Sequence, residues 1–155
     1  MSRLAADLSR LMRRDLDRLA EQIRSYPEEE SLWRIEGEGV SSGGSLALHV
    51  VGTLEHYVGT VLGVTGYVRD RDAEFHDRSV TRAEILDRIA ACKEMIATVL
   101  GAMDDATLCG PYPGALPLHL PGATTRMFLL HLMGHLTWHL GQIDYHRRIL
   151  GARTG

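Results

Sequence analysis

Three histidines fall one helical turn apart near the end of the chain, His131, His135 and His139 in the run LLHLMGHLTWHLGQIDYHRR. On an α-helix the i, i+4 spacing stacks them on one face, so neighbouring imidazoles aim at a shared point and can chelate a metal ion. Geometry limits the number that act together. His131 and His139 lie about 12 Å apart along the axis at 1.5 Å rise per residue, whereas nitrogens each about 2 Å from one ion lie within about 4 Å of each other. One ion therefore takes His131 with His135 or His135 with His139, and needs a third ligand from another element.

The earlier run LALHVVGTLEHYVGTVLG offers His49 and His56, about 10 Å apart on one helix face, so only one of them joins a given site. If this helix runs antiparallel to the last one, His49 meets His139 more readily than His131. That mildly favours His49, His135 and His139 and leaves the other pairings open. The competing reading is a set of core histidines hydrogen-bonded to carbonyls. It must explain several imidazoles on one apolar helix, where each buried polar ring without a partner costs roughly 1–3 kcal/mol. Glu36 and Glu38 precede the second helix at the end where His49 should lie, so one of them could reach an open metal position. His119, His56 and His76 read as structural or exposed.

The elements that must hold these residues are helical. Leu4, Leu8, Met12, Leu16, Leu19 and Ile23 form an apolar stripe, with Arg13, Arg14, Asp15 and Asp17 on the other face, and predict a first helix ending near Tyr26 and Pro27. The connection SLWRIEGEGVSSGG leads to Ser45, the expected N-cap of a second helix carrying Leu46, His49, Val50, Thr53, Leu54, Tyr57 and Val61, closed by Gly63 to Gly66. The charged stretch from Tyr67 to Ser79 exceeds the two to about eight residues that join antiparallel neighbours. It implies a crossover, with the second and third helices parallel. Thr81 and Glu84 form a capping box, and Leu86, Ile89, Cys92, Ile96, Val99 and Met103 the stripe of the third helix. Between Asp105 and Thr124 the segment ATLCGPYPGALPLHLPGAT holds too much Gly and Pro for a continuous helix. A hairpin or lid is expected there, the alternation at Leu116, Leu118 and Leu120 being a faint strand signal.

The last helix carries Leu130, Met133, Thr137 and Leu140 opposite His135, so both of its faces are apolar. A peripheral helix of a monomer shows charge on its outer side. The absence of charge before Asp144, with Gly134 and Gly141 flanking Trp138, predicts a homodimer packed through this helix, unless the proline-rich loop covers it.

At 155 residues the chain is expected to form a single domain, 1–155, with one core. A net charge of −3, with no basic cluster, excludes a general nucleic-acid binder. The stretch RDRDAEFHDR reads as solvated surface. Met127 to Ile143 is free of charge but short for a membrane span and holds three histidines, two glycines, a threonine and a glutamine, which indicates a buried helix instead. MSRLAADLSR lacks the apolar run of a secretory signal, and a cytoplasmic location is expected. Cys92 falls in the core pattern and Cys109 in a loop, without metal-like spacing.

The run HLTWHLGQIDYHRR resembles the final helix of the DinB/YfiT-like proteins. LALHVVGTLEHYVGTVLG is similar to their second helix, and LWRIEGEGVSSGG to the connection before it. The resemblance covers most of the chain. It implies an all-α, up-down-down-up four-helix bundle with the long crossover between helices two and three, a homodimer, and a divalent metal held by His49, His135 and His139. Zinc, nickel and iron all suit three neutral imidazoles. On this reading Gln142, one turn past His139, lines the pocket or orients a bound water, His131 stands behind the ligands as a buried polar group, and His146 is solvated near the bundle end. Three imidazoles leave an open coordination position. Some relatives look like transferases that attach a low-molecular-weight thiol such as bacillithiol or mycothiol to an electrophile, and others like a thiol-dependent isomerase. An anionic or sugar-bearing thiol would need a pocket near the metal, for which Arg126, Arg147 and Arg34 are available. A metal-dependent hydrolase using Glu38 as base, and a non-enzymatic stress-response dimer that binds metal or a small ligand, are the alternatives.

Overall fold

The computed structural model describes residues 2–153, and all regular secondary structure among them is helical apart from one isolated bridge between Pro111 and Thr124. Helix α1 spans Arg3–Arg24. A 3₁₀ turn, Glu30–Trp33, lies in the following connection. Helix α2 runs Gly43–Leu54 and continues through a π-helical segment, Glu55–Thr60, into a last α-turn, Val61–Gly63. Then come α3 (Arg71–His76), α4 (Arg82–Gly101), α5 (Asp105–Cys109) and α6 (Thr125–Arg153).

The apolar stripes build the core. Leu8, Met12, Leu16, Leu19 and Ile23 of α1 face Ile85, Ile89, Cys92, Ile96 and Leu100 of α4, with Phe128, Leu132, Leu136 and Ile143 of α6 closing the other side. Each fully buried Leu or Ile contributes about 1.5–3 kcal/mol of transfer free energy. Leu4, expected in the stripe, is 37% exposed, and Ala5 beside it takes the buried position. Asp15, expected at the surface, is fully buried. Arg14 and Arg18 pair with its Oδ1, and the Thr137 hydroxyl of α6 donates to Oδ2.

Contacts fix the helix directions. The Ser2 amide donates to the Met103 carbonyl and the Arg82 guanidinium to the Arg24 carbonyl, so α1 and α4 run oppositely. Asp15 meets Thr137 and Gln22 meets Arg147, so α1 and α6 run the same way. Tyr57 packs on Phe128 while His49 meets His139, which makes α2 antiparallel to α6. Helix α2 also packs against α4.

The caps correct one boundary. Helix α2 starts two residues before Ser45, because the Ser42 hydroxyl accepts from the Ser45 amide. Arg78 then binds both hydroxyls, which keeps them buried without cost. The capping box at Thr81 and Glu84 is present. The 67–79 connection contains α3, capped by Asp70, with Glu74 buried. The expected solvated surface holds for Arg71, Asp72, His76 and Arg78, which are exposed, but not for Glu74, which packs inward. The glycine- and proline-rich segment holds α5 and the single bridge, and no strand forms around Leu118, which is fully exposed.

Candidate metal centre

Helices α2 and α6 bring His49, His135 and His139 together at half-buried positions. The Nε2 of His135 lies 3.1 Å from the Nε2 of His49 and 3.1 Å from that of His139. Two imidazole nitrogens each about 2.0–2.1 Å from an ion are about 2.9 Å apart at a right angle and about 3.4 Å apart at the tetrahedral angle. The separations here fall between those values, so the donor set fits a transition-metal ion, and these three histidines could hold one.

The outer nitrogens fix the tautomers. The Nδ1 of His49 lies 3.0 Å from Glu74 Oε2. Arg69 forks onto the same carboxylate through Nε (2.7 Å) and NH2 (2.9 Å), and NH2 also donates to the Thr53 hydroxyl. NH2 also lies 3.1 Å from His49 Nδ1, but its two hydrogens are spent on the shorter contacts to Glu74 Oε2 and the Thr53 hydroxyl, which leaves the hydrogen between His49 and Glu74 on His49 Nδ1. On the other side His139 Nδ1 donates to Gln142 Oε1 at 2.7 Å. Both rings then present Nε2 lone pairs inward, the orientation that outer-sphere partners impose on metal-binding histidines.

Electrostatics keep the site ready to bind a cation. Burial, then the neighbouring His139 and His49, push the His135 pKa down to about 3, so this imidazole stays neutral. Burial lowers His139 as well, opposed by its hydrogen bond to Gln142. Burial pushes the Glu74 carboxyl up, but hydrogen bonds from His49 and Arg69 and the Arg69 charge together outweigh it and hold it below the usual carboxylate range. Phe75 of α3 packs on the His49 ring, 5.1 Å between centroids.

Two cavities open on the histidines. One of about 600 Å³ is bounded by Leu46, Phe75, Tyr145 and Ile149 and carries Glu36, Gln142 and His146. A smaller one, about 270 Å³, is lined by Tyr57, Pro117, Phe128 and His131. A separate cavity of about 350 Å³ between α2 and the crossover, lined by Glu55, Tyr67 and Glu74, does not reach the histidines.

Of the other residues singled out in the sequence, His131 is half-buried, stacked on Phe128 and against His119, outside the three-histidine group. Glu38 is exposed and lines neither cavity, whereas Glu36 lines the larger one. His56 and His76 take no part in the group. His146 is buried, not solvated. Its Nε2 donates to the Arg34 carbonyl and its Nδ1 accepts from the Tyr26 hydroxyl at 2.7 Å, a partner 120 residues away that no local spacing reveals. Arg34 and Arg147 are engaged with Glu36 and with Asp144 and Gln22, and Arg126 lines neither cavity. The sequence reading missed Glu74 and Arg69. The available signal was an acid within a helix-capping pattern, Asp70 to Glu74, beside an aromatic in a supposed linker.

No helix among the described residues is long and apolar enough to cross a membrane. No curated protein matches the chain. Among solved structures it is similar to a conserved protein from Enterococcus faecalis, at 15% identity and a TM-score of 0.71 over 98% of this chain and 99% of that one, a likeness of fold. The DinB superfamily model matches residues 10–143. The chain belongs to the DinB superfamily.

Proposed function

We propose that the protein is a metal-dependent enzyme of the DinB/YfiT type in which His49, His135 and His139 hold a divalent ion, zinc, nickel or iron, and that it transfers a low-molecular-weight thiol to an electrophile. The observation that carries this reading is the convergence of the three Nε2 atoms with two Nδ1 hydrogens committed to Glu74 and Gln142, facing cavities rather than closed by a fourth protein ligand. An ion so held lowers the pKa of a bound thiol or water and supplies a nucleophile at neutral pH.

The chain's own residues do the rest. Glu74 and Gln142 keep the Nδ1 hydrogens of His49 and His139 in place. Leu46, Phe75 and Ile149 give the larger cavity apolar walls. Pro117 brings the loop after α5 to the smaller cavity, whose lining with Tyr57, Phe128 and Leu132 is apolar and suits the body of an electrophile. In the transfer a carbon–sulfur bond forms, the thiol proton is released to solvent and the electrophile's leaving group departs. Incubation with bacillithiol or mycothiol and monobromobimane tests it: turnover above the uncatalysed rate that vanishes in His139→Ala supports transfer, and equal rates refute it. A hydrolase would have to take its base from Glu36, because Glu38 lies outside the cavities. A stress-response dimer that binds metal without catalysis is the outcome if the ion binds and nothing turns over.

The helix directions support an up-down-down-up bundle of α1, α2, α4 and α6 as one domain with the crossover between α2 and α4. We also propose a cytoplasmic homodimer through α6. Among the described residues no segment covers Met127, Leu130, Trp138 and Tyr145, which stay 50–70% exposed, and added Cβ atoms at Gly134 and Gly141 would meet nothing within 4 Å. Trp138→Glu should convert the species seen by light scattering to monomer, and a wild-type monomer refutes the dimer.

A further inference from the structure

Two residues line both cavities that meet at the histidines, His49 and Arg71. Arg71 opens α3, one residue past the Asp70 cap, and its guanidinium carbon lies 5.3 Å from the centroid of Phe75, the ring that packs on His49. Among the described residues it makes no ion pair and no side-chain hydrogen bond, unlike Arg69, which is committed to Glu74 and Thr53. Arg71 is thus an exposed arginine on the lining of both cavities, its guanidinium beside Phe75 and its donors unspent among the described residues.

The local charge favours an anion there. An imidazole that ligates an ion carries no charge to cancel that of a divalent cation, Glu74 is neutralised by Arg69, and Glu36, the carboxylate of the larger cavity, lies 3.5 Å from Arg34. An ion and an arginine facing one cavity focus a positive field into it, and the planar fork of arginine matches the oxygens of a carboxylate or phosphate.

We propose that Arg71 is the anion-recognising residue of this site: it binds the carboxylate or phosphate group of a ligand whose other end reaches the ion. The assignment rests on the metal reading above and narrows its substrate to an anionic thiol or a similar charged ligand. A surface arginine that merely covers Phe75 is the competing account. Methionine separates the two, since it retains an apolar cover and removes the charge.

The test uses cobalt(II)-loaded protein, whose visible absorption reports ligand binding, titrated with 2-mercaptoethanol, mercaptoacetate and mercaptomethylphosphonate. Wild type should bind at least one anionic thiol about tenfold more tightly than the neutral one, as expected for a charge-assisted contact. The better of the two identifies carboxylate or phosphate as the recognised group. Arg71→Met should erase the preference while cobalt stoichiometry and the affinity for 2-mercaptoethanol stay unchanged. Equal affinities in wild type, or a preference that survives in Arg71→Met, overturn the proposal alone. A protein that takes up no cobalt overturns the metal reading and this one with it.

Discussion

Replacing Glu74 tests whether the carboxylate behind His49 tunes the site or only packs. Its side chain is 6% exposed and accepts three charge-assisted bonds, from Arg69 Nε at 2.7 Å, Arg69 NH2 at 2.9 Å and His49 Nδ1 at 3.0 Å. Glu74→Gln keeps an oxygen for His49 but leaves Arg69, 14% exposed, without its counter-ion. Breaking a fully buried pair costs about 3–5 kcal/mol. The residual exposure of Arg69 and its surviving bond to Thr53 reduce this to about 2–3 kcal/mol of stability in the metal-free protein. Outer-sphere partners of metal-bound histidines are worth about 10–100-fold in affinity. Glu74→Gln should therefore weaken zinc binding by about tenfold and Glu74→Ala by up to about a hundredfold, roughly 1.4 and 2.7 kcal/mol. Competition against a chromophoric chelator measures the affinities, and urea unfolding of the metal-free forms the stabilities. If both variants bind zinc as wild type does, Glu74 does not orient His49 toward an ion and the reasoning fails.

Other residues make separate predictions. Gly52→Ala should mimic Glu74→Ala in a chelator titration, because its Cβ would collide with the Glu74 carboxylate and force it off His49; unchanged affinity would show that the carboxylate can shift freely. His131→Ala should leave metal stoichiometry intact, since this ring stacks on Phe128 outside the group of three, and loss of the ion would make it a ligand. His146 is lowered by burial despite its bond to the Arg34 carbonyl, so below the unfolded value of about 6.5 the unfolded chain takes up a proton that the folded chain refuses. Stability is complete above that pH and falls as pH drops through the window below it, by at most about 1.4 kcal/mol per pH unit for one group. Unfolding of His146→Asn across this range should show a shallower pH dependence than wild type, and an equal slope would remove His146 from the account.

Local periodicity made much of this molecule legible. The stripes of α1 and α4 and the Thr81–Glu84 cap are set within a turn or two of chain, and the His135–His139 pair needs only i, i+4 spacing to share a face. The length of the 67–79 connection raises the expectation of a crossover, because parallel neighbours require chain enough to travel back along the bundle. What escaped depends on contacts that cross the fold. Glu74 looks like one charge among many in RDRDAEFHDR until α3 folds its carboxylate against His49 and Arg69. His146 looks like a terminal surface residue until Tyr26 and the Arg34 carbonyl satisfy both of its nitrogens. Asp15 belongs to a charged face by spacing, yet two arginines and Thr137 allow it to be buried. Ser42 caps α2 in place of Ser45 because both serines stand before the same apolar run, and Arg78, 33 residues beyond Ser45, ties their hydroxyls together.

The most direct test of the central claim is the metal content of untagged protein by elemental mass spectrometry, measured beside His49→Ala and His139→Ala. The account predicts about one ion per chain in wild type, lost in both variants, as expected when one ligand of a three-imidazole site is removed. A wild-type protein without metal, or variants that retain full occupancy, would contradict it.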